Sequence, residues 1–301
     1  MIRSIKIINF LGDSINLSLF SPEESGLIIK SISGLGPAKA TINTTDISFS
    51  DGAAYNSARV GSRNIVFSFM FLPNDTIEDT RLLTYRYFPI KRKVRMIFET
   101  DNRTAEIAGY VESNEPDIFS KEEGCQISIV CPDPYFYSED EMVTSFSGTN
   151  PLFEFPFSNE SLTEKYIVMG TILRKTVMPV TYDGDAESGI IMTINAIGEA
   201  HNLTIHNVET KGQFKINTER LGKMTGSSII AGDEITIVTY KGRKSVTLLR
   251  EGNYYNILNC IEANTEWFQL HHGDNYFAYE ADDGEANLIF NITHQLIYEG
   301  V

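Results

Sequence analysis

The chain has 301 residues, of which 42% are hydrophobic and 22% are charged, and its formal net charge is −15. This length suits two domains, each with enough apolar residues to bury a core. So acidic a chain is a poor match for nucleic acid, because phosphate groups bind basic protein surfaces, and we expect no specific nucleic-acid binding. No apolar run approaches the roughly 20 residues that cross a bilayer, so we expect no membrane insertion.

The first ten residues have the pattern of a strand and lack the continuous apolar region of a signal peptide. We therefore expect the chain to fold in a cytoplasm. Only three cysteines occur, Cys125, Cys131 and Cys260. So small and odd a number indicates free, buried thiols rather than a disulfide framework.

Alternating apolar residues predict that the first half is mostly β. The expected strands are residues 2–10, 17–20, 27–32, 65–71, 94–98, 107–111 and 124–131. One helix is predicted from about Thr76 to Phe88. We expect Asp75 to be its N-cap, with Glu78 completing a capping box.

Residues 34–63 form a long segment of small, polar and glycine residues in which apolar residues recur at short intervals. Loops of this length are uncommon in compact domains unless they are functional or disordered. The regular spacing of the apolar residues argues against a disordered linker. We therefore predict an ordered, extended arm that contacts another subunit. The candidate interface residues are Leu35, Ile42, Ile47, Phe49, Tyr55 and Arg59.

A strand at residues 124–131 ends abruptly in Pro132-Asp133-Pro134. Proline cannot donate to a sheet ladder, so this motif stops the strand and indicates a domain boundary. We predict domains at residues 1–137 and 138–301. The second half reads as β throughout, with turn signals at Gly232, Gly242 and other positions, which favours a sandwich or barrel.

No motif in the sequence predicts a catalytic residue, a cofactor site or a metal site. The five histidines have no spacing that would bring three or four zinc ligands together. The glycines near Gly34 precede no helix and do not form a phosphate cradle. An acidic turn at Asp282 and Asp283 has the composition of a solvated loop. The single tryptophan, Trp267, is a possible sugar contact.

The sequence resembles the distal tail proteins of long-tailed siphophages of Gram-positive hosts. Four segments of the first half carry the resemblance in the expected order: ISGLGPAKATI at 32–42, DGAAYNSARVGSRNI at 51–65, RLLTYRYFP at 81–89 and CPDPYFY at 131–137. The second half is similar more loosely, through GRKSVTL at 242–248 and WFQLHHGDN at 267–275.

The resemblance implies a mainly β protein: an N-terminal β-sandwich with one α-helix and an extended arm, and an outward-facing, galectin-like C-terminal β-sandwich. It implies a non-enzymatic homohexameric ring at the distal end of the virion tail, assembled in the host bacterial cytoplasm. The partners would be the tail tube protein and a tail-associated hub or fibre protein. Two alternatives stay open: a carbohydrate-binding module that recognises a host glycan, and a component of a contractile tail or tailocin.

Overall fold

The computed structural model describes residues 1–48, 51–72, 76–151, 170–174 and 177–301. The chain divides into two compact units. The first consists of Met1–Asp140 and Ile297–Val301, and the second of Glu141–Leu296. The last five residues, which the sequence-based division assigned to the C-terminal domain, therefore belong to the first unit. The reason is a strand at Ile297–Tyr298 that pairs with Phe136 and Tyr137.

The first unit contains one helix, α1 (Ile77–Tyr87), among its described residues. Its strands are β1 (Ile2–Ile8), β2 (Ser14–Ser18), β3 (Leu27–Ser33), β4 (Ala40–Asp46), β5 (Ala53–Val60), β6 (Arg63–Phe71), β7 (Lys93–Thr100), β8 (Thr104–Asp117), β9 (Gly124–Cys131), β10 (Phe136–Ser138) and, at the end of the chain, β23 (Ile297–Tyr298).

One antiparallel sheet, in the order β2-β1-β7-β8-β9-β6-β3, forms the framework of the first unit, and β10 joins β8 to β23. Alternate residues of each strand point into the core. On β6 these are Ile65, Phe67 and Phe69, which are almost completely buried. The ring of Phe88, just after α1, lies 6.2 Å from Phe67 and 5.9 Å from Phe69. This contact fixes the helix against the sheet.

The strand predicted at residues 124–131 is confirmed as β9, and its two cysteines face the core. Cys125 and Cys131 are free thiols. Burial raises the pKa of each to about 12, so both stay protonated and unreactive at neutral pH.

The predicted helix is confirmed, but its cap lies one residue later than expected. Thr76 is the N-cap: its Oγ1 accepts a hydrogen bond from Asp79 N at 3.1 Å and donates one to Asp79 Oδ2 at 2.6 Å. Thr76 is thus the N-cap and Asp79 the N3 residue, the positions that we expected Asp75 and Glu78 to occupy. Asp75 lies outside the described residues.

The second unit contains one helix, α2 (Thr218–Thr225), in its described part. Its strands are β11 (Met142–Ser145), β12 (Ser147–Pro151), β13 (Gly170–Arg174), β14 (Val177–Tyr182), β15 (Ile191–Ala196), β16 (Thr204–Asn207), β17 (Gln213–Lys215), β18 (Glu234–Val238), β19 (Ser245–Arg250), β20 (Asn253–Asn256), β21 (Gly273–Glu280) and β22 (Leu288–His294).

Two antiparallel sheets make the second unit a β-sandwich. One has the order β11-β22-β15-β18-β19-β20 and the other β14-β21-β16-β17. Aromatic side chains join them: Tyr279 of β21 stacks on Phe290 of β22 at 5.3 Å, and Phe146 meets the same Phe290 ring edge-on at 4.9 Å. The predicted mainly β fold is therefore confirmed for the described parts of both halves.

The prediction that the second half is β throughout is wrong at α2. Asn217 caps this helix by accepting a hydrogen bond from Arg220 N at 3.0 Å. Gly226 ends it with φ +87°, a conformation that glycine adopts without strain. The helix has only two turns and buries little besides Leu221, so its apolar periodicity was too short to be recognised.

A buried arginine ties α2 to the neighbouring sheet. The guanidinium of Arg250, at the end of β19, donates to both carboxylate oxygens of Asp233 at 2.7 and 2.6 Å. It also donates to Ser227 Oγ at 2.7 Å and to Ser228 O at 2.6 Å, just beyond the helix. The hydrogen bonds to Asp233 raise the pKa of Arg250, because they favour its charged form.

One titratable side chain of the second unit is buried without hydrogen bonds. His294, at the end of β22, is 1% exposed, and neither ring nitrogen has a partner in the described structure. The Tyr182 ring packs edge-on against it at 5.7 Å. Desolvation lowers the pKa of His294 below its usual 6.5, because water is not available to stabilise the imidazolium.

We expect His294 to make the second unit acid-sensitive. Its pKa is lower in the folded than in the unfolded state, so the unfolded chain takes up the proton first and unfolding becomes easier as the pH falls through 6.5. The unfolding free energy, followed by the fluorescence of Trp267, should decrease between about pH 7.5 and pH 5.5. His294→Leu should flatten this slope, whereas His271→Gln at the surface should not. Equal slopes in all three proteins would contradict the assignment.

Candidate assembly site

The predicted arm is a two-stranded hairpin that stands apart from the main sheet. Strands β4 and β5 pair only with each other among the described residues. Every residue of β4 is exposed, and so is every residue of β5 except the half-buried Val60. Leu35 lies before the hairpin and is half-buried, and Ile47 lies near its tip and is exposed. Phe49, the sixth candidate, lies outside the described residues.

A β-bulge gives the hairpin one apolar face. Asn43 pairs with Ser57, but the next residue, Thr44, pairs with Tyr55, so Asn56 is an extra residue on β5. Directly paired residues lie on the same face of a sheet, and the bulge shifts the alternation by one position. Ile42, Tyr55 and Val60 therefore share a face. The side chains of Ile42 and Tyr55 are 63% and 67% exposed.

The opposite face of the hairpin is polar. Asn43 Nδ2 donates to Ser57 Oγ across the strands at 3.0 Å. Thr41 pairs with Arg59 on this same face, so Arg59 lies opposite Ile42 and Tyr55. The structure thus brings two of the six predicted residues, Ile42 and Tyr55, to one surface and separates Arg59 from them.

The base of the arm is closed by a residue that we did not predict, Arg63. It is the first residue of β6, where the chain returns from the arm, and it is 4% exposed. Its Nη1 donates to the carbonyls of Gly34 and Gly36, where the chain enters the arm, at 2.7 and 2.6 Å. The Arg63 side chain therefore connects the segment that enters the arm to the segment that leaves it.

Arg63 also binds two distant segments of the first unit. Its Nε donates to Pro134 O, in the Pro-Asp-Pro motif, and its Nη2 to Glu299 O, each at 2.6 Å. The guanidinium carbon lies 4.6 Å from the centre of the buried Phe136 ring. Burial lowers the pKa of Arg63, although the residue remains charged because its usual value of 12.5 is so high.

The arm base leaves no space for larger residues. Gly34 has φ +84°, and a Cβ atom there would lie 2.1 Å from Asn64 O. Only glycine fits such a position. The glycine was visible in the sequence, but the role of Arg63 was not. Its carbonyl partners lie 27, 29, 71 and 236 residues away along the chain, so no local sequence pattern predicts these contacts.

The predicted sugar contact, Trp267, is half-buried in the second unit. Its ring meets the Phe214 ring edge-on at 5.4 Å, and Lys244 Nζ lies 5.1 Å from its centre. A separate polar cleft of about 620 Å³ contains Asp282 and Asp283 of the acidic turn. Asn202 Nδ2 donates to Asp282 Oδ2 at 2.8 Å, which fixes this turn.

Within the described ranges, no three His, Cys, Asp or Glu side chains are grouped to hold a metal ion. Three surface histidines each lie beside one carboxylate: His206 is 2.9 Å from Glu280, His201 is 3.3 Å from Glu199, and His271 is 3.5 Å from Glu187. Neither helix in the described part of the chain is long and apolar enough to cross a membrane.

Comparison with known proteins finds similarity in structure only. No protein-family model matches the chain, and no curated protein sequence matches it significantly. The crystal structure of SPP1 Dit (gp 19.1), described as a paradigm of the hub adsorption apparatus in phages that infect Gram-positive bacteria, aligns with a TM-score of 0.65 and 11% identity. The alignment covers 97% of this chain and 98% of that one. At this identity the likeness establishes the fold.

Two structures of the phage p2 baseplate in its activated conformation, with Sr and with Ca, align less well. Their TM-scores are 0.46 and 0.44 at 10% and 11% identity, with 97% of this chain and 98% of each of those chains covered. Values this low support no conclusion about this chain.

We expect Arg63→Met to destabilise the first unit by about 3 kcal/mol or more, because the four hydrogen bonds of a buried guanidinium to carbonyl oxygens are lost. Hydrogen exchange of the β6 and β9 amides would measure the change. Arg3→Met is the control: Arg3 binds Asp101 at 2.8 Å at the surface, where water screens the ion pair and its contribution to stability is small. Equal effects of the two substitutions would show that Arg63 does not hold the unit together.

Proposed function

We propose that the chain is a structural, non-enzymatic component of a phage tail tip, where six copies form a ring that joins the tail tube to the hub or a fibre protein. The fold similarity to SPP1 Dit over nearly the whole chain supports this proposal. In this proposal the first unit forms the ring and the second unit forms a galectin-like domain that faces outward. Assembly takes place in the host bacterial cytoplasm, and the ring occupies the distal end of the virion tail.

The observation that carries the proposal is the exposed apolar face of the arm. An isolated two-stranded hairpin is at best marginally stable in water. This hairpin nevertheless leaves Ile42 and Tyr55 exposed on one face, beside the half-buried Val60. A second copy of the chain is the occupant that we propose for this face. If each arm contacts the next copy in the same way, the contacts are head-to-tail, and such contacts form a ring when the rotation from copy to copy closes on itself.

The charge of the chain is compatible with this role. Residues 1–134 carry 14 basic and 17 acidic side chains, whereas residues 135–301 carry 11 and 23. A nearly neutral first half favours packing between copies, because like charges would repel across each interface. The acidic second half favours solubility of the assembled particle.

The alternative function is recognition of a host glycan by the second unit. The observation in its favour is the half-buried ring of Trp267, an amphipathic aromatic at the surface. Lys244 lies over this ring, so a sugar that stacks there would have to displace the lysine side chain. The two functions are compatible with each other in one protein.

Substitution of the apolar arm face should prevent ring formation. Ile42→Asp places a charge on the proposed interface, so light scattering should give the monomer mass of 33.8 kDa instead of that of a ring. Thr41→Asp is the matched control, because Thr41 is the adjacent residue on the polar face. Two results would refute the proposal. One is an unmodified protein that stays monomeric at all concentrations and forms no ring on assembled tails, and the other is an Ile42→Asp protein that still forms rings.

Binding of the full chain to a glycan array tests the alternative. If Trp267 contacts sugar, Trp267→Ala should remove the signal, because the sugar would stack on the face of the indole ring. Tyr254→Ala is the control, since Tyr254 is another exposed aromatic of the second unit. An array without any signal, or equal loss in both variants, would leave the structural role alone.

A further inference from the structure

The arm leaves the first unit and returns to it at one place, and the C-terminal segment, residues 297–301, is bound there. We propose that this segment sets the direction of the arm and thereby controls whether the arm can engage a second copy. The inference rests on the proposed function, since it concerns the regulation of the same site. It assigns to residues 297–301 a positioning role rather than direct contact with the neighbouring copy.

Main-chain contacts connect the segment to the start of the arm. Val301 N donates to Leu35 O at 3.2 Å. Gly300 lies against the same residues: a Cβ atom there would be 2.8 Å from Leu35 O and 3.3 Å from Gly36 C. Glu299 O accepts the Nη2 hydrogen bond of Arg63. Three successive residues therefore touch the arm base directly or through Arg63.

The segment is itself firmly held by the first unit. Strand β23 pairs with β10, and the side chains of Ile297 and Tyr298 are 5% and 8% exposed. The Arg103 guanidinium lies 4.6 Å from the centre of the Tyr298 ring. The residues that touch the arm base, 299–301, thus directly follow a strand that is anchored in the core of the unit.

Removal of residues 297–301 would disturb the hydrogen bonds of Arg63. Without Glu299 O, the Nη2 group of Arg63 would be a buried donor without its partner, which is more costly than the loss of an exposed hydrogen bond. The guanidinium would have to turn toward another acceptor or toward water. Its bonds to Gly34 O and Gly36 O depend on the present orientation, because the guanidinium donors form a rigid fork. The arm would then lose its fixed direction.

The order of the sequence gives this arrangement a consequence for assembly. Chains are made from the N-terminus, and N-terminal domains generally fold first. The arm and Arg63 precede the second unit, whereas residues 297–301 follow it. An arm on a chain that has not yet reached residue 297 would therefore lack its positioning segment. The neighbour would be engaged only after the second unit has been synthesised.

The test measures the arm directly, without relying on ring formation. Spin labels at Asp46→Cys, near the arm tip, and at Lys93→Cys, on β7, would report the distance between arm and sheet. The native cysteines are buried and protonated, so labels react at the new sites. The measurement is made in the Ile42→Asp background, so that contacts between copies through the apolar arm face do not restrain the arm.

Deletion of residues 297–301 should broaden the distance distribution roughly twofold or more, as expected for a freed hairpin. Gly300→Ala should broaden it too, because its Cβ would lie too close to Leu35 O. Gly61→Ala is the matched control, since no atom lies within 4 Å of the Cβ position there. If the deletion unfolds the first unit, the comparison of Gly300→Ala with Gly61→Ala decides. A distribution as narrow in Gly300→Ala as in Gly61→Ala would overturn the inference.

The Gly300→Ala and Gly61→Ala variants without spin labels and with Ile42 restored separate the two proposals. A Gly300→Ala chain with a freed arm should associate roughly tenfold more weakly, because only a fraction of its arms point correctly. A freed arm without any change in association would refute the control of assembly. Rings that never form, even with a fixed arm, would refute the proposed function and leave the positioning role intact.

Discussion

The first unit depends on Arg63, a buried cation whose hydrogen bonds go to the main chain. Arg63 joins the entry of the arm, its return, the Pro-Asp-Pro turn and the C-terminal segment through four carbonyl oxygens. Carbonyl oxygens belong to the backbone, so Arg63 holds these segments through their main chain rather than through their side chains. The guanidinium suits this task because its five donors have a rigid geometry and its charge is not lost on burial. Arg250 in the second unit holds a loop in a comparable way, but mainly through the carboxylate of Asp233.

The arm shows how a β-bulge can create a surface. If Asn56 paired with Thr44 in a regular ladder, strict alternation would place Tyr55 on the face of Ser57 and Arg59, and the apolar side chains would be divided between both faces. With the bulge, Tyr55 joins Ile42, and the hairpin acquires one apolar and one polar face. The surface that we propose for contact with a second copy thus arises from backbone register as much as from residue type.

Local patterns predicted what depends on neighbours in sequence. The alternation at residues 124–131 correctly predicted a strand with buried cysteines. The predicted N-cap of the helix was wrong by one residue, because Asp75 and Thr76 are both suitable N-caps. Contacts between residues far apart in the sequence could not be predicted. Arg63 finds its partners up to 236 residues away, and the bulge at Asn56 exists only in the pairing of β4 with β5. For the same reason, Arg59 and Ile42 were grouped although they lie on opposite faces.

The pairing of β10 with β23 means that the first unit is interrupted rather than followed by the second. Tyr137 and Ile297 are direct partners in this antiparallel ladder, so the chain leaves and re-enters the first unit at adjacent positions about 5 Å apart. An interruption of this kind tolerates exchange, because any folded insert with neighbouring ends satisfies it. The second unit is therefore a domain inserted into the first, and it can be replaced in evolution or by design while the fold of the first unit stays the same.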